Sequence, residues 1–228
     1  MVLTTKNLIK ITVRNPEFSY DNDTDTLEKE LKTYMSKGFN KLNVGGGSKN
    51  LSGFVNIDFV KHDTVEREIR ANINDLTFVP DESIAHIHTN HVVEHLTCDE
   101  LVAQLKEYFR ILKPGGILSL RCPNALGVCY GFWFDVVPER NREEFVRLGF
   151  PPDEEFHNQA DGWYHKDFHG LFHWLYADTG NPANEHKNIL TPSMMKNYLI
   201  GAGFEVLKMT DPETSNIVVV ATKHWGMV

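Results

Sequence analysis

The sequence predicts an α/β chain organised on a mostly parallel sheet whose last strand runs antiparallel. Three observations carry that prediction. Short apolar runs alternate with stretches of helical periodicity along much of the chain, the pattern of strand–helix–strand units. The run Leu42 to Val44 breaks into Gly45-Gly46-Gly47, and thirteen residues after Gly45 a second run, Phe54-Val55-Asn56-Ile57, ends in Asp58. The chain then closes on two strand-like runs joined by a polar turn, which reads as a hairpin rather than another crossover. A strand feeding a glycine turn, followed by a strand ending in a carboxylate, is how open α/β folds build a nucleotide site. Glycine lets the backbone approach the ligand, and the acid accepts hydrogen bonds from ribose hydroxyls. By itself, three glycines in a row describe a plain turn equally well.

The elements follow in order. Leu8 to Val13 alternates with the period of a strand. Leu27, Leu31 and Tyr34/Met35 fall at helical spacing within Thr26–Ser36, and Lys37-Gly38 closes that helix. Leu42–Val44 and the run ending at Asp58 are strands. Thr64–Ile73 reads as extended, leading into Asn74-Asp75-Leu76 and a turn at Phe78–Ser83. Ile84 to Thr89 alternates as a strand and runs into Asn90-His91-Val92-Val93-Glu94-His95-Leu96. Thr97 with Asp99-Glu100 is a capping signature, after which Leu101, Leu105, Phe109 and Leu112 share one helical face. Lys113-Pro114-Gly115-Gly116 is expected to end that helix, and Ile117–Cys122 to form a strand stopped by Pro123-Asn124.

From 125 to 190 the periodicity dissolves. This stretch holds three of the four tryptophans and five of the eleven histidines, too aromatic for a disordered linker, and is expected to be an ordered insertion packing over the rest. Thr191-Pro192 opens a last helix carrying Met194, Met195, Tyr198 and Leu199, ended by Gly201-Ala202-Gly203-Phe204. Phe204–Met209 and Ile217–Ala221, joined across Asp211–Asn216, are the closing strands. The expected organisation is one domain, 1–228. It comprises an N-terminal strand and helix (1–39), a nucleotide-binding core (40–124), an insertion or substrate lid (125–190), and a C-terminal helix with its strand pair (191–223).

Composition excludes some partners. The formal charge of −8 over 228 residues disfavours nonspecific binding to nucleic acid or an anionic membrane. Cys98, Cys122 and Cys129 show no metal-like pairing and suit a reducing compartment without a disulfide framework. No apolar run is long enough to span a membrane, and Lys6 and Lys10 interrupt any signal-peptide core, so a soluble cytoplasmic protein is expected.

Taken together, N-V-G-G-G, N-I-D at 56–58, N-D-L with V-P-D-E-S, N-H-V-V-E-H-L, L-K-P-G-G and G-A-G-F resemble class I S-adenosylmethionine-dependent methyltransferases. More narrowly they are similar to a small subgroup associated with sugar and polysaccharide modification. The resemblance covers roughly 40–124 and 186–222. It implies a Rossmann-like methyltransferase fold with a seven-stranded sheet and S-adenosyl-L-methionine as cofactor. It also implies roles for particular residues. Gly45, Gly46 and Gly47, following Asn43, match the loop under the methionine part of the cofactor. Asp58 matches the ribose-binding acid, Asp75 the partner of the adenine amino group, and Leu76 the residue lining that ring. Asn90 and His91 match the backbone facing the sulfonium region. Two departures stand out: Asn43 replaces the family's opening acid, and Lys49 its third glycine. The short spacing from Gly45 to Asp58 also leaves no room for a full first helix.

Methyl transfer to a hydroxyl needs an in-line approach and a base for the departing proton. Glu94-His95, just after the cofactor-facing turn, reads as base or substrate anchor, or equally as a pair fixing the loop. His186 matches a histidine near the subgroup's substrate cleft and ranks beside His95 as the base. His165, His169 and His173 stand at i, i+4, i+8 and would share a helical face. With Trp163 and Trp174 they fit an acceptor-binding wall or a packing face. Gly170 and the lack of an acidic partner argue against a metal, and none is expected. Trp133, Trp163 and Trp174 interleaved with Asp135, Asp161 and Asp167 suit a sugar or glycan acceptor as well as a small aromatic core. The competing functions are a nicotinamide-dependent oxidoreductase, disfavoured by the missing G-x-G-x-x-G and following helix, and a non-catalytic cofactor-binding interaction domain.

Overall fold

In the computed structural model, which describes residues 22–134, 142–151, 175–177, 185–210 and 214–224, the apolar runs form one seven-stranded sheet. Its strands are β1 (Lys41–Val44), β2 (Val55–Asp58), β3 (Glu68–Arg70), β4 (Ile84–Asn90), β5 (Leu112–Pro123), β6 (Phe204–Met209) and β7 (Asn216–Lys223). Five helices accompany it among the described residues: α1 (Thr24–Ser36), α2 (Cys98–Ile111), α3 (Ala125–Phe134), α4 (Arg142–Arg147) and α5 (Pro192–Gly201). The strand order is β3-β2-β1-β4-β5-β7-β6. The first five strands pair in parallel, and β7 runs antiparallel to both β5 and β6. This is the expected Rossmann-like sheet with an antiparallel last strand.

The two faces of the sheet separate along β7, where side chains alternate. Ile217, Val219 and Ala221 join the main core with Leu27 and Leu31 of α1, Leu101, Leu105, Tyr108 and Ile111 of α2, and Met195 and Leu199 of α5. Val218 and Val220 point the other way, onto Phe145 of α4 and Phe150. Each aliphatic side chain so buried contributes about 1.5–3 kcal/mol relative to exposure. The helices begin where capping chemistry places them. Asp23 accepts from the Thr26 N–H at 3.3 Å at the start of α1. Thr97 and Glu100 form a reciprocal capping box at α2, and Thr191 caps α5 with Pro192 at its first turn.

Several boundaries differ from the sequence reading. Helix α2 stops at Ile111, and Lys113-Pro114-Gly115-Gly116 lies inside β5 rather than ending the helix. Leu112 pairs with Ile84, the register then shifts, and Ile117 pairs with His86. The glycines therefore serve a β-bulge, with Gly115 at φ 75°. Tyr108 takes the inward position on α2, while Phe109 sits on its flank, edge-on to Phe204 with centroids 5.3 Å apart. The extended stretch 64–73 narrows to β3. Helix α3, all apolar and so without amphipathic period, occupies the first part of 125–190. The expected strand Leu8–Val13 lies outside the described residues.

Between β1 and β2 the chain crosses in residues 45–54 without a helix, shorter than the dozen or more residues usual for a parallel crossover. On the sheet face opposite the main core, His86 and His88 share the Ser119 hydroxyl at 2.8 and 2.9 Å. Phe54 stands edge-on to His86 and Phe150 edge-on to His88. Burial lowers the His86 pKa to about 3, helped by the neighbouring His88 and Lys41 charges, so His86 is neutral in the fold at neutral pH.

The sign of the pH dependence follows. An unfolded chain protonates His86 near its ordinary value of 6.5, so stability is full above that pH and falls as pH drops toward 3. The loss attributable to His86 is about 2 kcal/mol by pH 5. Urea denaturation from pH 8 to 5 should show a midpoint falling with acidity. His86→Gln, which keeps a partner for Ser119, should flatten that fall by up to one proton; an unchanged slope would exclude His86 as its source.

Candidate functional site

The chain leaves β1 toward β2 and β3 on one side and returns to β4 on the other, so β1 and β4 are neighbours across a reversal of strand order. A crevice outside the carboxyl ends of the strands at such a point is where open α/β sheets take ligands. Val44 feeds directly into the glycine loop there. Gly45 adopts φ 68° and its N–H donates to the Ile57 carbonyl at 2.8 Å. A β-carbon on Gly45 would strike Val92, and one on Gly46 would overlap the side chains of Asn43 and Asn56. Gly47, at φ 57°, faces open space and donates its N–H to Asp58 Oδ2 at 2.8 Å.

Asp58 Oδ1 also accepts from the Val60 N–H at 3.0 Å, so this half-buried carboxylate already braces the loop on both sides. Beneath it lies a buried polar relay. Asn43 donates through Nδ2 to Asn56 Oδ1 at 3.0 Å. Asn56 Nδ2 in turn donates to the Gly47 carbonyl at 3.0 Å and to Glu68 Oε1 at 3.2 Å. Glu68 accepts from the His62 N–H at 2.6 Å and meets His62 Nδ1 at 3.0 Å. Three strand ends and the glycine loop are thereby cross-linked through amides, which explains why an amide rather than an acid at position 43 fits this chain.

At the end of β4 the backbone turns sharply. Asn90 closes the strand, and His91 takes φ 55°, an uncommon left-handed value for a non-glycine residue. Its N–H donates to the Arg121 carbonyl at 2.9 Å. A single 3-10 turn, Val93–His95, follows before the Thr97 cap. Glu94 is 1% exposed, and its Oε1 contacts His91 Nδ1 at 2.8 Å. Burial alone would raise the Glu94 pKa, but the His91 hydrogen bond and the His91 and His95 charges outweigh it and hold the carboxyl below its ordinary value. Glu94 is thus ionised in the interior. The nearby Cys122 thiol is pushed well up by burial, with the Glu94 charge adding to it.

His186 arrives from far along the chain. Its N–H donates to the Tyr176 carbonyl at 3.2 Å, within a bridge pairing Ala177 with Glu185. The next two residues, Lys187 and Asn188, donate their N–H groups to the Glu94 carbonyl at 2.9 and 3.1 Å. The His95 and His186 rings then stand with centroids 5.1 Å apart. Burial, more than any other cause, lowers the His186 pKa, so its imidazole is neutral at neutral pH.

The fold therefore gathers Gly45–Gly47, Asp58, Asn90, His91, Glu94, His95 and His186 around the strand ends. Asp75 turns its carboxylate onto Thr77, accepting from its N–H at 3.2 Å and its hydroxyl at 2.6 Å. The Leu76 side chain is fully buried in the main core. Trp163, His165, His169, His173 and Trp174 lie outside the described residues. Sequence reasoning passed over Asn56, Glu68, His62 and Asn188. Asn56 was visible inside N-I-D; the others carry no spacing signal, since they meet only through tertiary pairing.

Residues 54–120 match the family described as a methyltransferase domain. The matched part of the domain runs from Phe54 through β2, β3, β4 and α2 into β5 and includes Asp58, His91, Glu94 and His95, while the glycine loop and His186 flank it. In structure the chain is similar to an S-adenosylmethionine-dependent methyltransferase from Clostridium acetobutylicum, 14% identical over 90% of this chain and 93% of that one, with TM-score 0.49. It is also similar to one from Archaeoglobus fulgidus, at 14% identity, 91% and 96% coverage and TM-score 0.48. A third is the 1,6-didemethyltoxoflavin-N1-methyltransferase of Burkholderia thailandensis, at 10% identity, 89% and 80% coverage and TM-score 0.48. Likeness at this level says nothing about residue roles here. No curated protein matches the chain in sequence.

The packing of the glycine loop can be tested by stability alone. Gly46→Ala drives a methyl group into Asn43 and Asn56 and should cost about 3 kcal/mol through overpacking and a broken relay. Gly47→Ala meets no atoms and carries only the left-handed strain of about 1 kcal/mol. Thermal melts should therefore rank Gly46→Ala as clearly the more damaging; equal losses would contradict the packing described.

Proposed function

We propose that this chain is a methyltransferase that transfers the methyl group of S-adenosylmethionine to a hydroxyl of a small-molecule acceptor of the sugar or glycan class. The observation that supports this reading is the meeting of two imidazoles, His95 and His186, with a buried carboxylate, Glu94, beside the loop that ends β4. The acceptor hydroxyl approaches the methyl carbon opposite sulfur. As the O–C bond forms, the C–S bond breaks, its electron pair stays on sulfur, and the hydroxyl proton passes to an imidazole Nε2. Sulfonium becomes neutral thioether, and imidazole becomes imidazolium.

His186 suits the base role because Nδ1 faces the Leu175 carbonyl at 3.2 Å. A carbonyl only accepts, so Nδ1 carries the hydrogen and Nε2 the lone pair. His95 is held in the same tautomer by the Glu185 carbonyl at 3.1 Å. The charge on Glu94 stabilises whichever imidazole takes the proton. Alignment of donor and acceptor supplies roughly 7–11 kcal/mol and the base a further 10²–10⁴-fold. In this reading Gly45–Gly47 underlie the methionine portion, Asp58 meets the ribose hydroxyls, and Asn90 and His91 face the sulfonium.

Calorimetry with S-adenosylhomocysteine should give binding, and NADH none. Asp58→Asn, which keeps an acceptor for the Gly47 N–H, should weaken S-adenosylhomocysteine about 10–100-fold, the range expected for hydrogen bonds to a charged group. Unchanged affinity would sink the ribose assignment. With sugar acceptors, mass spectrometry should report the gain of one methyl, and His186→Gln should lower turnover about 10²–10⁴-fold with cofactor affinity intact. Cofactor binding with no methylation across a broad acceptor panel would instead identify an interaction module.

A further inference from the structure

We propose that Glu94, His95 and His186 together bind one divalent transition-metal ion. One donor atom from each residue lies within 4.8 Å of the other two. Two imidazole nitrogens and one carboxylate oxygen are a donor set for zinc, iron(II), cobalt(II) or manganese(II) rather than for calcium or magnesium. Ligands about 2.0–2.2 Å from an ion stand about 3–4 Å apart, so a modest rotation of the rings completes the contact.

The carboxylate makes the case. Glu94 is 1% exposed, yet its Oε2 is buried with no hydrogen-bond partner among the described residues. A buried carboxylate oxygen left unpaired costs free energy that native folds seldom leave uncompensated. Oε2 therefore calls for a positive partner, and a cation between the two imidazoles supplies one.

Each of the three ligands is also already held from behind. His95 Nδ1 donates to the Glu185 carbonyl and His186 Nδ1 to the Leu175 carbonyl, at 3.1 and 3.2 Å, which turns both Nε2 lone pairs loose for coordination. Glu94 Oε1 is anchored by His91 at 2.8 Å, leaving Oε2 as the free donor. Outer partners of this kind fix ring orientation and tautomer at metal sites and raise ligand basicity. An ion held by both Nε2 atoms occupies the lone pairs that the metal-free site would offer as base, so ligation and proton abstraction alternate at these imidazoles rather than coexist.

Three protein ligands leave a coordination position for an oxygen, from water or from the acceptor hydroxyl. Use of that position for the acceptor rests on the methyl-transfer reading above; the metal site itself does not.

The full-length chain, freed of metal by a chelator, is titrated with Co²⁺ and followed by visible absorption. One equivalent should produce ligand-field bands that Zn²⁺ abolishes. Glu94→Gln and His186→Gln should each weaken Co²⁺ by at least about 100-fold, while His224→Gln, removing an exposed histidine, should leave it unchanged. Circular dichroism checks folding, and if Glu94→Gln does not fold, the half-buried His186→Gln decides. Wild-type affinity in His186→Gln, or no ligand-field band in the wild type, overturns the site. Co²⁺ binding without methylation of any sugar leaves the metal site standing and removes the methyl-transfer reading. Methylation indifferent to chelator, with no Co²⁺ binding, does the reverse.

Discussion

The carbonyl of Glu94 accepts two backbone N–H groups, from Lys187 and Asn188. Those bonds join the end of β4 to a segment that precedes α5, and the geometry of the site depends on them. Without them the Glu94-His95 turn would belong to one part of the chain and His186 to another. Both lone pairs of that carbonyl are used, so the contact fixes distance and direction at once. The bridge between Ala177 and Glu185 pairs the start of that segment with another part of the chain. What looks like a cluster of three side chains is set by main-chain hydrogen bonding, and main-chain geometry tolerates surface substitution well.

A second constraint holds the glycine-loop end of the site. Asn43, Asn56 and Glu68 link β1, β2 and β3 beneath the glycine loop through buried hydrogen bonds. In a fully connected buried network each member leaves others unsatisfied if it is lost. Glycine at position 46 is required by this network rather than by backbone conformation, because the two amides occupy the space a side chain would need. Gly45 has both constraints, a left-handed backbone and the Val92 methyl.

Much of this architecture was legible in the sequence. Strands ending at Val44, Asp58 and Asn90 announced themselves by apolar runs broken by glycine or polar residues, and caps at Thr97 and Thr191 by their neighbours. The failures have physical causes. Helix α3 is apolar on every side, so no period marks it. Lys113–Gly116 has the composition of a helix stop but is spent on a bulge, because β5 pairs with Ile84 before the glycines begin. Glu68 and Asn188 act only through partners distant in sequence. Glu94-His95 reads in sequence as base, substrate anchor or loop-fixing pair and His186 as a base candidate; that their donor atoms come within 4.8 Å of one another is a three-dimensional fact.

The crossover from β1 to β2 without a helix has an electrostatic consequence. In dinucleotide-binding sheets the glycine turn opens a helix whose positive N-terminal end receives a pyrophosphate. Residues 45–54 supply no such macrodipole, so this crevice offers no anion hole for a diphosphate. What flanks the glycine loop instead is the Asp58 carboxylate and the buried Asn43–Asn56–Glu68 relay. An omission in the chain, rather than an added residue, thereby leaves this loop without the positive end of a helix.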